Sequence, residues 1–184
     1  KVRFPAPGEP ADLFVPADDS YTRQARDGGL VADSLPVART RAVVLLARDN
    51  PRNLATWPDL LRAGVTVAVP NPGAAVGRLA REHLVRTRRW AALEPRVVDT
   101  GTVTEAANAA KVGSADAAVV WDAVANAPAY RGQTVLALPE LEGVTGRIEV
   151  AVLNQSRDPE AARAFARYLA DPLRGLAHFR AAGF

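Results

Sequence analysis

Short apolar stretches that predict β-strands alternate with amphipathic stretches that predict α-helices along almost the whole chain. The predicted strands cover residues 11–15, 42–47, 65–69, 96–99, 117–120, 134–138 and 147–153. Helices are predicted between most of them, and two more close the chain at residues 158–170 and 172–181. This alternation predicts an α/β fold, with a parallel or mixed sheet covered by helices on both faces.

The composition narrows the class of protein. A length of 184 residues suits one large domain or two small lobes, and no apolar window is long enough to span a membrane. The absence of cysteine excludes disulfides, thiolate metal ligands and cysteine nucleophiles. The net charge is only +3 and the arginines are scattered, so we expect no nucleic-acid partner. His83 and His178 are expected at the surface, and no metal site is predicted.

The segment 65–84 joins a predicted buried strand to a helix through the turn Pro70-Asn71-Pro72-Gly73. The helix starts with small residues around Val76 and Gly77. Small side chains let a ligand approach the free N–H groups at a helix start, where the helix dipole favours an anion. By itself, the segment is also typical of an ordinary strand-to-helix turn.

Other helix starts carry capping signals. Thr56 with Asp59, and Thr102 with Glu105, match the capping-box spacing. Ser20 is predicted to cap the helix that follows residues 16–20. Asp99 and Asp122 would repel an anion bound nearby, so we expect both to point away from it or to pair with arginines.

Several segments, taken in order, resemble the periplasmic molybdate-binding proteins of ABC transporters, within the two-lobed type 2 solute-binding fold. Residues 11–18, ADLFVPAD, resemble the family's ADVFASAD strand. Residues 76–84, VGRLAREHL, are similar to AGRYAREAL, and residues 113–121, GSADAAVVW, to GEADAGIVY. The C-terminal residues 161–184 resemble the family's last helices and end in a similar AAGF.

The resemblance implies two α/β lobes with mixed sheets flanked by helices. Lobe one would comprise residues 1–48 and 146–184, and the inserted lobe two residues 49–145. The hinge would lie near residues 48–53 and 139–147. We expect the family's first strand and helix to be missing from this chain. Residues 1–4, KVRF, look like the middle of a strand, after which the family has a turn that contains a serine. Residues 5–10, which occupy that position, contain no hydroxyl.

The resemblance also implies an oxyanion in the cleft between the lobes, held by backbone N–H groups and a few hydroxyls. Val76, with the adjacent Gly77, occupies the position of one backbone donor, and Val103 that of a second. Trp121 replaces a tyrosine whose hydroxyl reaches the anion. Each has an ordinary alternative: a strand-to-helix turn at Val76 and Gly77, an apolar first-turn residue at Val103, and a core residue at Trp121.

The function that the resemblance implies is capture of molybdate or tungstate outside the cytoplasm, in the periplasm, for delivery to an ABC permease. We expect a monomer with no resident cofactor, and leave open whether it is membrane-anchored. No nucleophile–base pair or carboxylate constellation indicates an enzyme. The alternatives are a ligand-sensing regulatory domain and a solute-binding relative with another small ligand.

Overall fold

A computed structural model describes residues 11–184. The strands are β1 (Leu13–Phe14), β2 (Val31–Leu46), β3 (Val67–Pro70), β4 (Val97–Thr100), β5 (Ala117–Trp121), β6 (Val135–Leu136) and β7 (Thr145–Leu153). The helices are α1 (Asp19–Asp27), α2 (Trp57–Leu60), α3 (Ala75–Arg86), α4 (Trp90–Leu93), α5 (Val103–Val112), α6 (Asp122–Ala125), α7 (Pro159–Ala170) and α8 (Gly175–Ala181). The predicted α/β class is confirmed.

The chain divides into two compact units. Unit 1 comprises Lys1–Thr40 and Gly146–Phe184, and unit 2 comprises Arg41–Thr145. Residues 41–48, which the sequence assigns to lobe one, belong to unit 2 in this division. The identification of the units with the lobes of a binding protein stays a prediction. Residues 5–10, where the family's serine is replaced, lie outside the described residues.

Unit 1 has a small sheet covered by the two C-terminal helices. β1 pairs antiparallel with β7, Leu13 opposite Val152, and β7 is flanked on its other side by β2. Side chains of β2 and β7 form the core of the unit together with Ala162 and Ala166 of α7. Asp158 caps α7 by accepting a hydrogen bond from the Ala161 N–H at 3.0 Å.

Unit 2 has a mixed sheet in the strand order β2-β5-β3-β4. β5 runs antiparallel to the second half of β2, and β3 runs parallel to both β5 and β4. All residues of β3 and β5 are buried, which is typical of strands covered on both faces. β6 pairs antiparallel with the same part of β2 on the edge opposite β5, since Val44 of β2 pairs with Val119 of β5 and with Leu136 of β6.

Two local predictions differ from the structure in detail. β2 is sixteen residues long, whereas only residues 42–47 were predicted as a strand. Its first half is mostly exposed or half-buried, with Val37 the one buried position among residues 31–38, and it includes Pro36, so it lacks a continuous apolar run. The cap of α1 is Asp18 rather than Ser20, because the Asp18 carboxylate accepts from the Ser20 N–H at 2.9 Å. Within residues 11–184, no helix has both the length and the apolar character needed to cross a bilayer.

Candidate functional site

The carboxyl ends of three parallel strands meet at one edge of the unit 2 sheet. Pro70 at the end of β3 lies opposite Thr100 at the end of β4, and β5 runs in the same direction on the other side of β3. A helix follows each strand: α3 follows β3, α5 follows β4, and α6 directly follows β5. The candidate residues Val76, Gly77, Val103 and Trp121 all follow or end these strands, so all four belong to this edge.

Helices α3 and α5 lie on opposite faces of the sheet. α3 connects β3 to β4, and α5 leads from β4 back past β3 to β5, so right-handed crossovers require opposite faces. The packing agrees, since the alanines of α5 form a buried cluster with Ala68 of β3 and Ala118 of β5. Neighbouring strands whose helices leave on opposite faces create a crevice at their carboxyl ends, which is the usual ligand position in open α/β sheets.

The first turn of α3 presents free backbone donors. The first hydrogen bond within the helix runs from the Arg78 N–H to the Ala74 carbonyl at 3.0 Å, so the N–H groups of Ala75, Val76 and Gly77 have no acceptor in the helix. The Val76 side chain is buried, so a ligand at this edge could reach only the backbone of this residue.

Asn71 fixes the turn that leads into α3, although the sequence did not single it out. Its N–H donates to the Thr100 carbonyl at 2.8 Å, and its side-chain oxygen accepts from the Gly73 N–H at 2.9 Å. Its carbonyl accepts from the Ala74 N–H at 3.0 Å. These bonds tie the end of β3 to the end of β4 and hold the start of α3 in place.

The first turn of α5 is partly satisfied by its own cap. The Thr102 hydroxyl accepts from the Glu105 N–H at 3.1 Å, as predicted, whereas the Glu105 carboxylate accepts from the Gly101 N–H at 2.7 Å. The first backbone bond of the helix runs from Ala106 to Thr102 at 3.1 Å. The N–H groups of Val103 and Thr104 therefore have no acceptor within the helix.

Trp121 is the last residue of β5 and is only 4% exposed. It pairs with Ala42 of β2, and α6 begins at the next residue. Among residues 11–184 the indole N–H has no hydrogen-bond acceptor. An indole N–H can only donate a hydrogen bond, so a ligand that accepts at this position would be complementary to it.

Arginines pair with both carboxylates at this edge, as predicted. The Asp99 carboxylate accepts from Arg81, whose guanidinium also lies over the Trp90 ring at 4.4 Å. Asp122 lies 3.4 Å from the Arg41 guanidinium and accepts from the Arg41 N–H at 3.2 Å. These pairs reduce the negative charge that an incoming anion would meet.

His83 on α3 is half-buried rather than exposed, because its ring packs against Gly143. Burial lowers the pKa of the imidazole below its usual value, and the nearby Arg86 guanidinium acts in the same direction. In the part of the chain that the structure describes, no three His, Asp or Glu side chains are grouped to hold a metal ion.

Comparison with known proteins reveals the family. The family model described as "Bacterial extracellular solute-binding protein" matches residues 6–184. The molybdate-binding protein ModA of Mycobacterium tuberculosis is 30% identical over 159 residues, which are 86% of this chain and 59% of ModA. The chain thus spans about three-fifths of the length of this relative.

Solved structures show the same fold at lower identity. The periplasmic molybdate-binding protein of Azotobacter vinelandii has a TM-score of 0.74 and 20% identity over 96% of this chain and 78% of that protein. The sulfate-binding protein SubI of Mycobacterium tuberculosis has a TM-score of 0.75 and 22% identity over 96% of this chain and 69% of SubI. Together with the family match over nearly the whole chain, the fold identifies this protein as a member of the bacterial extracellular solute-binding protein family.

Proposed function

We propose that this chain is the ligand-binding part of a protein that captures a tetrahedral oxyanion, molybdate or tungstate, outside the cytoplasm. The protein would deliver the anion to an ABC permease. The likeness to the ModA protein of Mycobacterium tuberculosis supports molybdate as the first ligand to test. Periplasmic location and capture between two lobes are parts of the same proposal.

The observation that carries this proposal is the pair of helix starts at the edge of the unit 2 sheet. The backbone N–H groups of Val76, Gly77 and Val103 have no acceptor in their own helices. Helix starts of this kind bind anions through aligned N–H groups and the positive end of the dipole. The pairing of Asp99 and Asp122 with arginines also supports an anion site here, since unpaired carboxylates would repel the anion.

Selectivity would follow from a site that contains donors only. Backbone N–H groups and the Trp121 indole can donate but cannot accept. A protonated oxyanion carries an O–H that would be left without an acceptor when buried, which costs binding free energy. We therefore expect fully deprotonated dianions to bind more tightly than anions that retain a proton.

Calorimetric titration of the full-length protein with molybdate, tungstate, sulfate and phosphate tests the proposal. We expect saturable one-site binding of molybdate and tungstate, with weaker binding of sulfate and phosphate. Tighter binding of sulfate than of molybdate would overturn the ligand assignment while retaining an oxyanion site. Absence of binding heat for all four anions, verified by intrinsic tryptophan fluorescence, would overturn the proposal as a whole.

A further inference from the structure

A groove in unit 1 shares no residue with the candidate oxyanion site. It is an open groove formed by β2, β7 and α8, with a volume of about 580 Å³. Apolar side chains that include Val37, Leu176 and Phe179 line it together with three arginines. Its volume falls within the usual range for binding sites in proteins, roughly 300–1,000 Å³.

The three arginines of the groove are Arg39 on β2, Arg147 on β7 and Arg180 on α8. Among residues 11–184, none of their side chains has a hydrogen bond or an ion pair. Elsewhere the arginine side chains commonly meet carboxylates, as Arg23 does with Asp19 at 2.6 Å. Three unpaired cations along one groove repel one another, and a bound anionic group would remove that repulsion.

The apolar part of the groove determines what kind of anionic group fits. The Phe179 ring packs edge-on against the Phe184 ring, with 5.7 Å between their centroids. Leu176 and Phe179 are only partly buried, so they offer apolar surface beside the guanidinium groups. A guanidinium binds a carboxylate through two parallel hydrogen bonds. Covering the adjacent apolar surface with an aromatic or aliphatic side chain removes it from water, which favours binding.

A small inorganic anion would leave the apolar surface uncovered, and a flat lipid surface would not enter a concave groove. We propose that the groove docks an acidic segment of a partner protein, which places carboxylates on Arg39, Arg147 and Arg180 and an apolar side chain against Phe179. This docking surface does not depend on the proposed oxyanion function, because it shares no residue with the candidate site.

Fluorescence anisotropy with the full-length protein tests the docking surface. The probe is a labelled peptide in which glutamates flank a single phenylalanine. We expect saturable binding at peptide concentrations up to about 1 mM, with an affinity that falls as salt is added. The variants Arg39→Gln, Arg147→Gln and Arg180→Gln should each weaken binding by about fivefold, the upper range for one exposed ion pair.

Arg131→Gln is the matched control, because Arg131 is exposed and does not line the groove. Phe184 also lines the groove, beside Phe179. Phe184→Ala should therefore weaken binding of the phenylalanine peptide more than that of a peptide with serine in its place. Equal affinity of the groove variants and the control would overturn the proposal. So would equal binding of the two peptides, absence of saturable binding, or binding of phosphatidylglycerol vesicles without binding of the peptide.

Discussion

Gly77 lies directly against Pro70, so that a Cβ atom on Gly77 would be 1.9 Å from the Pro70 carbonyl oxygen. This separation is far below van der Waals contact, and the obstacle is backbone rather than a flexible side chain. α3 therefore begins tightly packed on the end of β3. The close packing holds the first-turn N–H groups of α3 at the edge of the sheet.

Gly77→Ala should destabilise the protein by about 3 kcal/mol, because α3 must move away from β3 to accommodate the methyl group. Urea unfolding measures the effect. Gly28→Ala is the control, since a Cβ on Gly28 would meet its nearest atom, the Gln24 carbonyl oxygen, at 3.4 Å. A stability loss for Gly77→Ala no larger than for Gly28→Ala would contradict the packing argument.

Val103→Pro should weaken molybdate binding by about 2 kcal/mol, or about thirtyfold, because it removes a single N–H that would donate to a charged ligand. Val103 is the first residue of α5, where proline is well tolerated, and Thr102 before it is extended at φ −137° and ψ 163°. Val103→Ala removes most of the same side chain and keeps the N–H. Similar calorimetric affinities for the two variants would remove Val103 from the site.

Trp121→Phe should weaken oxyanion binding by about tenfold, because it retains an aromatic ring and removes the indole donor. Trp121→Tyr should bind more tightly than Trp121→Phe, since a hydroxyl can donate in place of the indole. Calorimetry provides the affinities, and thermal unfolding checks that both variants stay folded. If both bind as the wild type does, Trp121 is a core residue only.

Asp59→Asn should lower the melting temperature at pH 7 and have less effect in acid. The Asp59 carboxylate accepts from the N–H of Ala55 at 3.0 Å and from the N–H and hydroxyl of Thr56 at 2.9 and 2.8 Å. These bonds lower the pKa of Asp59 below its usual 3.8. The stabilisation is therefore complete above pH 3.8 and is lost as the pH falls through the lower pKa of the folded protein.

Melting curves between pH 2 and pH 7 measure this dependence. Glu142→Gln is the control, because Glu142 is exposed and its side chain has no hydrogen bond within residues 11–184. The difference between Asp59→Asn and the wild type should shrink toward pH 2. A constant difference across the range would mean that the charge of Asp59 does not stabilise α2.

Much of the fold could be predicted because its local signals agree. Apolar runs mark β3 and β5, and Gly113 ends α5 in the left-handed conformation at φ 77°. The first half of β2 could not be predicted in the same way. It contains Pro36 and charged residues, and neighbouring strands rather than local propensity keep it extended.

Some residues of the candidate site could be predicted from the sequence, and others could not. The order of motifs indicated the helix starts at Val76 and Val103, and simple electrostatics predicted arginine partners for Asp99 and Asp122. Asn71 was not recognised, because its bonds to Gly73 and Thr100 depend on the pairing of β3 with β4. A capping motif has a signature within a few neighbouring residues, but a bond between strands has none.

The donors at the starts of α3 and α5 belong to the main chain. Apart from Gly77, whose position admits no side chain, residues at these positions can therefore be exchanged during evolution without loss of the donors, provided that the helices still begin at the same place. Two proteins could then bind the same anion through main-chain donors while having few identical residues. In searches for further members, the geometry of strand ends and helix starts would then be a better guide than the recurrence of charged side chains.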